Sequence, residues 1–186
     1  PLSKKHLEGS FSISTSLNIK GEVTATLGHC ENPYLQLQKN EEAAKSALSP
    51  GFPAGSLTEY TVEKMMPEES QISYKVQQRL SPEEQNGYRF ITIPETQTGL
   101  DHSHLDVLTG ERESPFAISW PVDVRYQYTI DLPESMELVT GETEIEKSGD
   151  IGQVSIKIEK EGGKVSVDRH VKINKGIISS EEYPTF

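Results

Sequence analysis

The sequence predicts an all-β fold, an antiparallel β-sandwich-like domain with one short helix near residues 33–49. Three observations lead there. Apolar and polar residues alternate with period two through most of the chain, so most segments have one dry and one wet face, as strands do. Turn signals recur about every 8–12 residues, the spacing of a sandwich or barrel. One segment alone shows helical periodicity, and a parallel α/β sheet would need crossover helices between its strands.

Phe11, Ile13, Thr15, Leu17 and Ile19 alternate with Ser12, Ser14, Ser16, Asn18 and Lys20. Val23, Ala25 and Leu27 resume the alternation against Glu22, Thr24 and Thr26. Asn18-Ile19-Lys20-Gly21 between the two runs reads as the tight connection of a hairpin, with Gly21 at positive φ. After Gly28 comes the helix candidate. Asn32 is placed to cap it, and Pro33 suits the first helical position, where a missing N–H costs nothing. Tyr34, Leu37, Ala44, Ala47 and Leu48 share a face, with Glu41, Glu42 and Lys45 opposite. Asn40 and Ser46 are weak helix formers inside it, and Pro50-Gly51-Phe52-Pro53 ends it.

Residues 57–66 and the run Ile72, Tyr74, Val76, Gln78, Leu80 form the next two strands, joined through Pro67-Glu68-Glu69-Ser70. Asn86-Gly87 marks a tight turn before a short strand, 88–93. From Glu95 to Ser114 the alternation fails, and a short strand within 105–108 is expected there, because long structureless loops are uncommon in compact domains. Trp120, Val122, Val124, Tyr126, Tyr128, Ile130 and Leu132 then give the cleanest strand and the best core face. A weaker strand follows at 136–146. Val154, Ile156 and Ile158 lie on another, Glu161-Gly162-Gly163 turns the chain, and Val165, Val167, Arg169, Val171 and Ile173 return it. In the tail, Ser179-Ser180-Glu181-Glu182 suits the start of one helical turn. About nine or ten strands result.

The chain is a single β-rich region, 1–186, with a division into two subdomains, 1–95 and 115–186, joined by the polar connection as the alternative. Its 18 basic and 29 acidic side chains leave a net charge of −11, which argues against a nucleic-acid partner, since phosphate binding needs a basic face. Apolar runs all fall short of the roughly 18–20 residues that span a bilayer, so no transmembrane segment is expected. One cysteine rules out an internal disulfide framework and a cysteine-based zinc site. The sequence starts at Pro1 with no signal-like segment, and the expectation is a piece of a larger protein.

Each candidate for chemistry has a plainer explanation. Cys30 beside His29 suggests a thiol nucleophile, but neighbouring strand residues point to opposite faces, so a free thiol at a strand end is expected. Asp101-His102-Ser103-His104-Leu105-Asp106 offers His-x-His on one strand face, where His102 and His104 would grip a divalent ion. Spacing marks no third ligand, and a wet polar loop accounts for the stretch. His6 and His170 carry no motif. The pairs Glu41-Glu42, Glu68-Glu69, Glu83-Glu84 and Glu181-Glu182 are expected to be solvated. Trp120, Tyr126 and Tyr128 would make a sugar-stacking platform if exposed, yet their file is the core file. No catalytic, cofactor-binding or metal-ligating residue is therefore assigned, and no cofactor is expected.

The second half contains Arg112-Glu113-Ser114-Pro115, a long strand ending in Leu132-Pro133, a strand pair, Arg169 on the last strand, and Glu182-Tyr183. In this order it resembles the C-terminal β-rich region of unknown function in bacterial transglutaminase-like proteins, a cysteine-peptidase family of the Gram-negative cell envelope. The polar hairpin and short helix of the first half resemble the passage that follows that family's papain-like core. The family's catalytic Cys, His and Asp belong to that core, and no segment here matches it. The resemblance therefore implies a non-catalytic accessory module with the upstream transglutaminase-like domain as its partner, in a periplasmic or outer-membrane-associated setting. A ligand- or carbohydrate-binding module is the alternative, and a thiol enzyme using Cys30 the second.

Overall fold

The computed structural model describes residues 2–48, 55–90, 113–118, 120–139, 141–174 and 176–182. The His102 and His104 pair, the strand expected within 105–108, Arg112, Tyr183 and the Pro50–Pro53 helix end lie outside them.

The first two strands, β1 (Ser3–Ile13) and β2 (Asn18–Gly28), form an antiparallel hairpin in unbroken register from Lys4↔Gly28 to Ile13↔Ile19. The turn sits at Ser14–Leu17, earlier than the sequence suggested. The Leu17 N–H donates to the Ser14 carbonyl, and Leu17 itself takes the positive φ of 61°. Gly21 lies inside β2 opposite Phe11, where its missing side chain makes room for the Phe11 ring. The strand also begins eight residues before Phe11, because Leu7 continues the buried file that Phe11 and Ile13 begin.

After β2 come a one-turn 3-10 helix (His29–Glu31), α1 (Tyr34–Lys39) and α2 (Glu41–Leu48), in place of the single expected helix. The break is at Asn40, whose extended backbone (φ −168°, ψ 170°) ends α1. Its side-chain oxygen then accepts from the Ala43 N–H at 2.8 Å, capping α2. Asn32 does not cap. Its amide instead donates to the Met66 and Pro67 carbonyls, tying the helical segment to the following hairpin.

That hairpin is β3 (Leu57–Met65) with β4 (Glu69–Arg79). β5 (Glu83–Gln85) and β6 (Tyr88–Phe90) close over Asn86-Gly87, both at positive φ as the dipeptide predicts. β7 (Phe116–Ala117) precedes β8 (Val122–Asp131). The expected strand at 136–146 shrinks to β9 (Thr143–Ser148). Upstream of it the chain turns back, the Met136 N–H reaching the Pro133 carbonyl, and packs Met136 and Leu138 against the core. β10 (Gly152–Glu161) and β11 (Lys164–Ile173) form the predicted hairpin over Gly162-Gly163, and β12 (Ile177–Ile178) pairs with β7. The Ser179 Oγ and Glu182 carboxylate bond reciprocally in the tail, a capping-box arrangement at the predicted turn.

The all-β class stands, with a correction to its topology. Hydrogen bonding runs through one eight-stranded sheet ordered β3-β4-β2-β1-β8-β11-β10-β9, rather than two facing antiparallel sheets. The seam between its halves, β1 on β8, is parallel over ten registered pairs from Ser3↔Val122 to Ser12↔Asp131. Both strands are inner strands of the sheet and meet side by side, so the pairing is non-local and invisible to local pattern. One face of the sheet is dry. Leu7, Phe11, Ile19, Val23, Ile72, Val76, Val122, Tyr126 and Ile130 are at most 2% exposed there. Leu48 of α2, together with Phe116, Ile118 and Ile178 around the β7–β12 pair, joins the same buried cluster. Helices and a small ribbon thus supply the cover that a second sheet would have given. The outer strands β3 and β9 carry Glu59, Lys64, Glu144, Glu146 and Lys147, the charges that blunt open sheet edges.

Candidate functional site

The other face of the sheet is polar, because the residues between the core positions are hydrophilic in every central strand. β1 contributes Lys4, His6 and Glu8, β8 contributes Asp123, Arg125 and Gln127, and β11 contributes Asp168, His170 and Lys172. Register brings them into rows. His6 pairs with Arg125 across the parallel seam, and Arg125 pairs with His170 on the other side. Asp123, two residues before Arg125, lies diagonally between the two histidines.

Asp123 Oδ1 is 2.7 Å from His6 Nε2 and 2.8 Å from His170 Nε2. The imidazoles approach from opposite strands, with ring centroids 6.3 Å apart and planes at 88°. All three side chains are partly shielded: His6 keeps 30% of its surface exposed, His170 20% and Asp123 14%. Burial pushes the Asp123 carboxyl up, but the hydrogen bonds from His6 and His170 outweigh it, and the group is held below the usual aspartate value. Beside this cluster Arg125 grips Asp168 with two bonds, Nε to Oδ1 at 3.1 Å and Nη2 to Oδ2 at 2.7 Å. Gln127 adds a third bond to Asp168 at 3.1 Å. The fork-on-carboxylate geometry turns the Arg125 charge away from the histidines and neutralises it. A shallow groove continues along the same face past Glu8, Glu22, Thr24, Lys157 and Asp168.

This cluster is the one site among the described residues that gathers metal-ligating side chains, with its three ligand atoms within 4.8 Å of one another. Sequence reasoning left His6 and His170 without a role, since 164 positions and the nine strands β2 to β10 separate them along the chain and no spacing marks either. The available signal was only that both fall on the wet file of their strands. Asp123 shared that file in β8 and was equally unmarked.

The other candidates do not converge on chemistry. Cys30 is exposed on the 3-10 turn. His29 takes a positive φ of 51° and turns its ring onto Trp120, 4.4 Å between centroids at 78°. Trp120 lies outside β8 and is 41% exposed, a correction to its place at the head of the core file. Tyr126 and Tyr128 are 2% exposed and belong to the core, so they cannot form a sugar platform. The paired acids Glu41-Glu42 and Glu83-Glu84 are exposed, as expected. No helix among the described residues is long and apolar enough to cross a membrane.

No curated protein matches the chain. A crystal structure described as that of a putative protease from Parabacteroides distasonis is similar at 26% sequence identity and a TM-score of 0.43. The likeness covers 49% of this chain and 18% of that one, so the chain spans less than a fifth of that protein's length. The profile of a family of domains of unknown function, DUF3858, matches residues 88–186, from β6 to the C-terminal end. That match takes in just over half of the sequence, including β8 and β11 with Asp123 and His170, and the chain belongs to the DUF3858 family.

Proposed function

We propose that this chain is a non-catalytic accessory β module of a larger cell-envelope protein, positioning or presenting a transglutaminase-like core of the same polypeptide. The observation that carries this reading is the setting of the sole cysteine. Cys30 lies exposed on a one-turn helix, and the adjacent imidazole of His29 is packed against Trp120 rather than against sulfur. A thiol nucleophile needs a base within hydrogen-bond reach, itself oriented by a third group. Membership of a domain family of unknown function supports the reading, as does the order of Pro115, Leu132-Pro133 and Arg169, which resembles the region after the core in transglutaminase-like proteins. Docking against a neighbouring domain would bury about 600–1,500 Å² and permit relative motion. Periplasmic or outer-membrane-associated placement belongs to the same proposal.

The test is to read the parent open reading frame and assay the parent with and without this region. A papain-like Cys–His core upstream, with lower stability or a narrower substrate range when this region is deleted, is the expected result. A parent without such a core overturns the reading. So does loss of a parent hydrolytic activity on Cys30→Ser, which would place the nucleophile here.

A further inference from the structure

We propose that His6, Asp123 and His170 form a binding site for a divalent transition-metal ion of the zinc class. Two imidazole nitrogens and a carboxylate oxygen are the ligand types zinc takes, and three protein ligands with water at the fourth position form a complete tetrahedron. The three donor atoms already converge, with Nε2 of both histidines 2.7–2.8 Å from Asp123 Oδ1 and all three atoms within 4.8 Å. Ligands bound to zinc at about 2.0–2.1 Å stand about 3.3 Å apart, so each histidine nitrogen moves about half an ångström away from Asp123 Oδ1, while the two histidine nitrogens, at most 4.8 Å apart, settle to the same spacing. The remaining exposure of His6 and His170, 30% and 20%, gives an ion a path from solvent and leaves room for water.

The surroundings favour a cation. The positive groups nearest in register are diverted to other acids, Arg125 to Asp168 and Lys4 to Glu69 at 3.0 Å. Lys172, registered opposite Asp123, is the remaining cation of the row. The chain as a whole carries a charge of −11. On binding, the ion takes the place of the protons that Nε2 of each ring holds toward Asp123. Each proton passes to Nδ1 of the same ring through water when the ring is neutral, or to solvent when the ring is cationic. The ligands come from β1, β8 and β11, so an ion there staples the parallel seam that joins the two halves of the sheet. The proposal is independent of any partner domain.

The experiment uses the full 186-residue chain, stripped with a chelator and titrated with zinc chloride alone by calorimetry. ¹⁵N-labelled imidazole spectra report the ring nitrogens directly. Saturable binding of one ion per chain is expected, with the Nε2 signals of His6 and His170 moving together. Bound zinc should also raise Tm. His6→Ala, His170→Ala and Asp123→Asn should each weaken binding by more than the about 10–100-fold typical of losing an outer-shell partner. Cys30→Ser should leave it unchanged. No saturable binding up to millimolar zinc overturns the proposal, as does binding that survives His6→Ala/His170→Ala or is lost in Cys30→Ser. Should the ligand variants fail to fold by circular dichroism, the imidazole spectra of the unaltered chain decide, and Nε2 signals that stay in place count against the site.

Discussion

Gly21 lies directly across the β1–β2 ladder from Phe11, and the Phe11 ring occupies the space that a Gly21 side chain would need. A Cβ there would also stand 2.6 Å from the Ser10 carbonyl oxygen, which is backbone and cannot step aside. Gly9, on the same side, would meet Phe11 Cε2 and Tyr128 Cδ1, each at 2.9 Å. The two glycines thus form a trough in which Phe11 and Tyr128 meet edge to face, centroids 5.2 Å apart.

Gly21→Ala should therefore destabilise the fold by about 1–3 kcal/mol, the usual cost of overpacking, although alanine is ordinarily better than glycine in a strand. Chemical denaturation measures it. A variant as stable as the parent would mean that Phe11 has another rotamer available at no cost.

The Arg125–Asp168 fork predicts an acid-side loss of stability. The Arg125 hydrogen bond holds the Asp168 carboxyl below its ordinary value of 3.8, against partial burial, with Gln127 and the nearby His170 adding to it. A depressed carboxylate contributes stability above its unfolded-state value, and that contribution disappears as pH falls through the folded-state value. Asp168→Asn should be less stable than the parent above the ordinary value of 3.8, the difference shrinking below it and vanishing once pH has fallen through the lower folded-state value. Half-exposed pairs of this kind contribute about 1 kcal/mol or less. Parallel curves over the whole acid range would remove the fork from the stability of the β8–β11 pair.

Val124 sits at the centre of the sheet, registered with Lys5 on β1 and Val171 on β11, and is 3% exposed. A carboxylate at this position would enter a buried apolar file, where the facing Lys5 offsets only part of the desolvation cost. Val124→Asp should cost several kcal/mol, roughly 3–5, and most of the thermal transition. An unchanged Tm would mean that β8 is an exposed edge rather than an inner strand.

The period-two files were legible because the sheet is wet on one side only, so Val122 to Ile130 and Val165 to Ile173 advertise their inward faces residue by residue. Asn86-Gly87 and Gly162 were legible because positive φ narrows the choice of residue. Gly21 misled for the same reason, since it serves space rather than conformation. The parallel seam was not legible, because nothing local in Leu7 or Tyr126 says that they share a row. The His6–Asp123–His170 cluster inherits that blindness. Its members become neighbours only after β1, β8 and β11 are laid side by side.

Asn40 shows a local signal that was visible but whose consequence was not. A weak helix former inside a helical pattern reads as a blemish, yet its short amide lets one residue end α1 and start α2. Its Oδ1 satisfies the Ala43 N–H, one of the donors left unpaired in the first turn of α2. Asn40→Ala removes that acceptor while permitting a continuous helix, and should cost about 0.5–2 kcal/mol. Asn40→Asp keeps the acceptor and places a negative charge at the helix start, so it should retain the parent's stability. Denaturation midpoints of the two variants separate the explanations. If alanine stabilises the chain, the break at Asn40 is not needed to bring Leu48 into the core, and α1 and α2 can pack as one straight helix.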